Sequence, residues 1–179
     1  EIQSFFGQFR FNLNEKYLLT ATVRTDGSSK CGNNFRYGVF PAFAAAWNIS
    51  SEDFMASSPF DQLKLRVGWG RTGNQEFDAG SAQERYQLTD NGGLRLENVA
   101  NDSLRWESST TLNLGIDFAI FDYRLSGSIE FFNKVDDDLL FNFRAIAPAP
   151  DTRYWINLPG QVLNQGVEIA LNSFLIRKE

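Results

Sequence analysis

The side chains that could carry out chemistry in this 179-residue sequence are few. Histidine is absent, which removes the commonest metal ligand and the usual general base, so zinc sites and histidine-dependent triads are excluded. Cys31 is the single cysteine; it has no partner for an intramolecular disulfide and reads as an incidental free thiol. No two carboxylates are spaced for acid–base work, and no nucleophile has a base beside it. The sequence therefore predicts neither an enzyme nor a cofactor.

One acidic run, Asp136-Asp137-Asp138, carries oxygen ligands that a hard cation could use. The run lacks both the alternating spacing and the distal glutamate of a calcium loop. It therefore indicates a solvated acidic loop and no metal site.

The overall composition points to strands and away from nucleic acid. The net charge is −5, with no cluster of Lys and Arg that could neutralise phosphates, so no nucleic-acid partner is expected. The 17 Phe, 4 Trp and 5 Tyr against one Met favour an all-β chain. No apolar run approaches the roughly 18 residues of a membrane-spanning helix, whereas a membrane barrel needs only alternation.

Seven segments alternate apolar and polar side chains with the period of two that is typical of strands. In the clearest, Leu65 and Val67 share one face while Lys64 and Arg66 share the other. The runs, seven to thirteen residues long, bracket the roughly 9–11 that a tilted strand needs to cross a bilayer. Pro41, which cannot donate to a ladder, weakens only the third segment. The segments cover residues 4–13, 17–24, 36–48, 63–70, 110–118, 125–131 and 166–172.

Short and long connections alternate strictly along the chain. An up-and-down meander sends every second connection to the same end, so this sorting predicts a transmembrane barrel with short periplasmic turns and long external loops. The long polar stretches are expected to be loops without regular structure. The short connections are 14–16, 51–55 and 121–123, and the long ones are 26–35, 72–104 and 136–160.

Aromatic residues collect near the predicted strand ends, where amphipathic rings would lie at the lipid headgroup level. These residues are Tyr17, Tyr37, Trp47, Trp69, Trp106, Phe118, Phe121 and Tyr123.

Several short strings, in this order, carry a family resemblance over nearly the whole chain. Together they resemble the SusC/RagA family of TonB-dependent outer-membrane transporters, which import glycans or peptides with a surface lipoprotein of the SusD type. The strings occupy residues 17–29, 40–50, 63–66 with 72–75, 104–107, 113–118, 138–140 and 164–168.

The resemblance implies a bacterial outer-membrane barrel of about 22 strands around an N-terminal plug. Residues 1–179 would then be a partial barrel domain of about seven strands, an antiparallel up-and-down fragment without the plug or the closing strands. Glu1 begins within an alternating run, which indicates truncation at that end. The implied partners are outer-membrane lipid, a SusD-like lipoprotein, an oligosaccharide or peptide cargo, and the TonB complex through the plug.

Two other functions fit parts of the pattern. A soluble all-β carbohydrate-binding module would show the same alternation, but it would bury Leu65 and Leu114 against a second sheet. A passive outer-membrane porin would need no plug.

Four residues at the predicted external rim are candidate contacts for cargo or lipoprotein: Arg71, Asn74, Gln75 and Trp155. Rim structure is the favoured explanation for each of them. Gly73-Asn74 suits a turn, and Trp155 suits the aromatic girdle.

Overall fold

A computed structural model of the chain describes residues 1–32, 34–146 and 152–174. Within these ranges eleven strands form two sheets, one of seven strands and one of four. The strands are β1 (Ile2–Leu13), β2 (Tyr17–Ser28), β3 (Tyr37–Asn48), β4 (Phe60–Asn74), β5 (Arg85–Leu88), β6 (Leu94–Asn98), β7 (Glu107–Ile120), β8 (Leu125–Asp137), β9 (Leu140–Arg144), β10 (Arg153–Asn157) and β11 (Gln161–Ser173).

The seven-stranded sheet has the order β1-β2-β3-β4-β7-β8-β11, and every neighbouring pair is antiparallel. All seven predicted strands are present, and several extend beyond their predicted ends. The meander prediction is therefore confirmed. Among the described residues β1 and β11 are the two sheet edges, so this region does not close a barrel by itself.

The third strand forms despite Pro41. The β3–β4 ladder begins at Ala42, so Pro41 lies directly beyond the residues that pair with β4. On the other side Pro41 lies opposite Val23 of β2. A proline is tolerated where the ladder to one neighbour has ended, because fewer amide donors are needed there.

The short connections are tight turns, as predicted. Asn14 and Glu15 have φ of 52° and 58°, the left-handed conformation that suits a two-residue hairpin turn. Phe121 and Tyr123 also have positive φ, which is unusual for bulky side chains. The backbone N–H of Tyr123 donates to Asp61 Oδ2 at 3.0 Å, which ties this turn to the start of β4.

The link from β3 to β4 contains two 3₁₀ turns, Ile49–Ser51 and Asp53–Met55. The short connection predicted at residues 51–55 is therefore confirmed. No helix in the described ranges is long and apolar enough to span a membrane.

The prediction that the long connections lack regular structure is wrong. They contain the second sheet, with the strand order β5-β6-β10-β9. Its strands are only four or five residues long, too short to produce a clear alternating pattern. The sheet is assembled from two separate connections, because β6 pairs with β10 at Asn98 and Arg153.

Candidate functional site

The seven-stranded sheet has one strongly apolar face, which we call the apolar belt. Its side chains stand largely uncovered; Phe9 is 62% exposed and Val167 61%. A continuous uncovered surface of this kind is unfavourable in water. The belt comprises Phe5, Phe9, Phe11, Leu13, Tyr17, Leu19, Ala21, Val23, Val39, Pro41, Phe43, Ala45, Trp47, Leu63, Leu65, Val67, Trp69, Leu112, Leu114, Ile116, Phe118, Ile129, Phe131, Val167, Ile169 and Leu171.

The opposite face, here called the polar face, carries a charged cluster at mid-height. Arg66 Nε donates to Asp117 Oδ2 at 2.7 Å, and its Nη2 donates to Asp117 Oδ1 at 2.9 Å. The same Nη2 reaches Glu130 Oε2 at 3.3 Å. Gly115 of β7 lies directly opposite both Arg66 and Glu130, and a Cβ there would lie 2.9 Å from the Arg66 guanidinium. The face is therefore polar, with its central charges held by a bidentate pair.

A second cluster joins the two short connections at the turn end of β1–β4. The Glu52 carboxylate accepts hydrogen bonds from Tyr17 Oη at 2.7 Å, Trp47 Nε1 at 3.1 Å and Lys16 Nζ at 3.1 Å. Donation by the tyrosine, the indole and the ammonium lowers the pKa of Glu52, and the hydrogen bond that Lys16 makes to this carboxylate raises the pKa of Lys16.

The rings of Tyr17 and Trp47 stack with centroids 6.2 Å apart, as expected for a girdle at this end. Sequence reasoning missed Glu52 as their common acceptor. In the sequence, Glu52 stands out only as an acidic residue that follows the third predicted strand.

At the other end of the sheet the long connections pack together into a folded unit, the loop cap, formed by residues 29–32, 34–36, 75–106, 138–146 and 152–160. Its core is small and specific: Leu104 is fully buried, and Cys31, Phe77 and Ala82 are almost so. Trp155 packs against this core, with its ring centroid 5.9 Å from that of Phe77. The cap therefore has a hydrophobic core of its own, separate from the belt.

Cys31 is a free thiol, as predicted, but it is a buried core residue of the loop cap. Burial raises the pKa of the thiol to about 11, which lowers its reactivity. The adjacent Lys30 donates instead to the backbone oxygen of Phe77 at 2.8 Å.

Asparagine side chains connect the loops of the cap. Asn98 Nδ2 donates to the backbone oxygens of Ser81 and Gln83, and Asn101 Nδ2 donates to that of Trp155 at 2.7 Å. Asn157 exchanges hydrogen bonds with the backbone of Arg105 at 3.0 and 2.9 Å. These contacts join residues far apart in the chain, so spacing in the sequence gave no signal for them.

A depression of about 410 Å³, which we call the mouth pocket, lies where the polar face meets the loop cap. Its floor includes Phe40, whose ring packs edge-on against Trp106 at 5.5 Å. A Cβ on Gly73 would lie 2.1 Å from Phe40 Cζ, so the close approach requires glycine. The remaining lining residues are Ile2, Arg24, Asp26, Thr72, Asn74 and Gln75.

Polar groups in the mouth pocket are only partly satisfied. Arg24 Nε donates to both oxygens of the buried Asp26, at 2.9 and 2.7 Å, while the arginine side chain stays 57% exposed. Gln75 Oε1 is buried without a hydrogen-bond partner among the described residues. Buried acceptors of this kind are uncommon in native proteins.

The structure separates the four candidate contacts. Asn74 and Gln75 line the mouth pocket, and Asn74 Oδ1 also accepts from the backbone N–H of Glu76. Arg71 lies on the apolar-belt side of β4, two residues beyond Trp69, and donates to Ser108 Oγ at 3.0 Å. Trp155 packs in the loop cap. A role for any of them in cargo contact stays a prediction.

Two further predictions concern the strand ends. Trp106 packs in the mouth pocket, so the prediction that it belongs to the aromatic girdle is wrong.

The acidic run Asp136-Asp137-Asp138 is divided among separate partners, since Lys134 pairs with Asp136, Gln161 with Asp137, and Arg105 with Asp138. Within the described ranges no three metal-ligating side chains are grouped.

An antiparallel meander of long strands, with an apolar belt outside and a charged face inside, is the wall of a transmembrane β-barrel. Residues 1–175 match the model of the family described as TonB dependent receptor-like, beta-barrel, and the chain belongs to that family. It is therefore a barrel region of a TonB-dependent outer-membrane receptor. The alternative of a soluble carbohydrate-binding module is wrong.

Individual relatives agree with this assignment. TonB-dependent receptor P3 of Formosa agariphila is 34% identical over 97% of this chain and 18% of its own length. TonB-dependent receptor SusC of Bacteroides thetaiotaomicron is 31% identical over 95% of this chain and 18% of its own length. The chain thus spans about a fifth of these relatives, and the SusC/RagA resemblance is confirmed.

Solved structures show the same fold. The RagAB peptide transporter matches 99% of this chain and 20% of its own, with a TM-score of 0.87 at 24% identity. The siderophore receptor PirA of Acinetobacter baumannii matches 97% of this chain and 26% of its own, with a TM-score of 0.68 at 16% identity.

Proposed function

We propose that this chain forms part of the wall of a transporter that imports nutrient oligomers, glycan or peptide, across the outer membrane. The observation that carries the proposal is the two-faced sheet. One face is apolar enough to meet lipid, and the other presents the Arg66–Asp117–Glu130 cluster to a wet lumen. Cargo would enter at the loop cap and descend along the polar face.

Two partners belong to this proposal. A SusD-like lipoprotein would bind at the capped end, where a folded surface is available to it. A plug would lie against the polar face and connect the transporter to the TonB complex. Support for the connection to TonB comes from the relatives, since SusC and the P3 receptor of Formosa agariphila are named as TonB-dependent.

The mouth pocket is the proposed cargo contact within this region. It combines aromatic surface from Trp106, the exposed guanidinium of Arg24 and the Gln75 Oε1 acceptor, which has no hydrogen-bond partner in the described part of the chain. Such a mixture suits an oligomer with many hydroxyl or amide groups, because these supply donors that the buried acceptor lacks.

The proposal is tested by deleting the gene in the source bacterium and comparing growth on single oligosaccharides and oligopeptides. Full-length receptor should restore growth on the imported class only while TonB is present. Growth restored without TonB would overturn energised import and favour the passive porin.

The cargo contact is tested separately with Gln75→Ala. Uptake at limiting cargo should fall severalfold, with little change at saturating cargo, because Gln75 would act in binding. Gln87→Ala is the matched control, because Gln87 is an exposed glutamine of the loop cap whose Oε1 accepts a hydrogen bond from Arg95. Equal uptake by the two variants would remove the mouth pocket from the proposal but leave import intact.

A further inference from the structure

The hairpin formed by β5 and β6 in the loop cap has one apolar face. On that face Tyr86 lies opposite Leu96, and Leu88 lies opposite Leu94. Tyr86 is 56% exposed, Leu88 70% and Leu94 71%, so the described part of the loop cap leaves most of this surface uncovered. The other face is polar, since it carries the hydrogen bond from Arg95 to Gln87.

The turn that closes the hairpin fixes which main-chain groups point outward. The backbone N–H of Thr89 donates to the backbone oxygen of Gly93 at 2.8 Å, which makes these two residues a hydrogen-bonded pair. In an antiparallel ladder such pairs alternate with pairs that do not bond to each other. Leu88 and Tyr86, one and three residues before Thr89, therefore direct their N–H and C=O groups away from β6.

These outward groups lie on a free edge. β5 is the last strand of the four-stranded sheet, and within the described ranges β6 is the one strand that pairs with it. The N–H and C=O groups of Tyr86 and Leu88 thus form a row with a repeat of about 6.8 Å. Neither residue is charged or a proline, the usual devices that keep another chain from pairing with an edge.

An extended polypeptide is complementary to this edge. Its N–H and C=O groups recur at the same spacing, so its partial charges match those of the row. Every second side chain of an added strand would lie beside Tyr86 and Leu88 and would extend the apolar face. An oligosaccharide has no periodic row of amide groups, and the edge therefore favours a peptide over a glycan.

We propose that the outer edge of β5 binds imported oligopeptides in extended conformation, as an added strand. This inference rests on the proposed function and names peptide as its cargo class. The loop cap is the entrance for cargo in that function, so the edge lies where a peptide would arrive. Recognition through the main chain accepts many sequences, because it uses groups that every peptide carries.

The edge is tested with Leu88→Pro in full-length receptor. Proline removes the outward N–H of residue 88 but no hydrogen bond within the hairpin, because that N–H does not point toward β6. The probe is a fluorescent seven-residue peptide of alternating valine and serine, and its binding is measured by fluorescence anisotropy. The Kd should rise about fivefold, as expected for the loss of one hydrogen bond.

The matched control is Leu94→Pro. Leu94 lies opposite Leu88 with nearly the same exposure, but its outward N–H is on the other side of the hairpin. It is also the first residue of β6, a position at which a strand tolerates proline. Leu94→Pro should bind the peptide as wild type does. Equal affinities of the two variants, or weaker binding by Leu94→Pro alone, would overturn the proposal.

A second measurement uses wild-type receptor and decides the question should Leu88→Pro not fold. Two forms of the peptide carry N-methyl groups either on every valine or on every serine. Alternate amides of a strand point to opposite edges, so one form should lose binding and the other should keep it. Equal binding of the two forms would overturn the added strand.

The outcome for the edge is separable from that for import. A wild-type receptor that does not bind the unmethylated peptide overturns the inference. If that receptor still restores TonB-dependent growth on oligosaccharides, the proposed function stands with a glycan as cargo.

Discussion

Leu114 lies in the middle of the apolar belt, and replacing it with arginine tests which face of the sheet meets lipid. Thr110, the first polar side chain of β7 beyond Leu112 on this face, lies four residues away toward the loop cap, and the strand ends six residues away at Ile120 in the other direction. At about 3.4 Å per residue these are about 14 and 20 Å along the strand, or about 11 and 17 Å along the membrane normal at the tilt of about 35° found in transmembrane barrels. Leu114 is therefore close to the bilayer midplane.

An arginine on the lipid face near the midplane costs about 2–4 kcal/mol. Leu114→Arg should lower the free energy of unfolding of the full-length receptor by this amount, since the guanidinium must be drawn toward the nearer headgroups. Asn113→Arg is the control, because Asn113 is the adjacent residue on the polar face, opposite Gly68 and Phe132. There an arginine would be hydrated, with a change within about 0.5 kcal/mol.

Both variants are refolded into phospholipid vesicles and titrated with guanidinium chloride, with the folded fraction followed by heat-modifiable electrophoretic mobility. The denaturation midpoint of Leu114→Arg should be well below that of wild type, and that of Asn113→Arg unchanged. Equal costs for the two substitutions, or a larger cost for Asn113→Arg, would refute the face assignment.

Two further predictions concern the ends of the sheet. Hydrogen bonds from Tyr17, Trp47 and Lys16 lower the pKa of Glu52. The Glu52 carboxylate therefore stabilises the fold fully at a pH above the ordinary carboxyl pKa of 4.5. This stabilisation is lost as the pH falls through the lowered pKa of the folded state. The difference in denaturation midpoint between wild type and Glu52→Gln should therefore be largest at pH 7 and small at pH 3. A difference that does not change with pH would contradict the charge-assisted hydrogen bonds of this cluster. In the loop cap, Leu104→Ala should lower the local stability by about 2–5 kcal/mol. Alkylation of the Cys31 thiol, measured by mass spectrometry, should then accelerate at least tenfold. An unchanged alkylation rate would show that Leu104 does not keep the thiol buried.

The strands of the large sheet were predictable because a half-buried strand imposes a period of two on local sequence. The alternation of Leu65, Val67 and Trp69 also extends to Arg71, and it was sufficient to put that residue on the belt side. The clusters were not predictable in the same way, since Arg66 and Asp117 are 51 residues apart and meet only through the β4–β7 register.

By itself, the sequence determined the strands, their two faces, the sorting of the connections to opposite ends and the family. These are local or periodic properties, because each depends on side chains a few residues apart. Only the tertiary structure decided that the long connections fold into a loop cap around Leu104, that Glu52 joins two turns, and that Asn74 and Gln75 share a pocket with Trp106. Those contacts depend on which strands are neighbours and in what register, and no local pattern in the sequence carries that information.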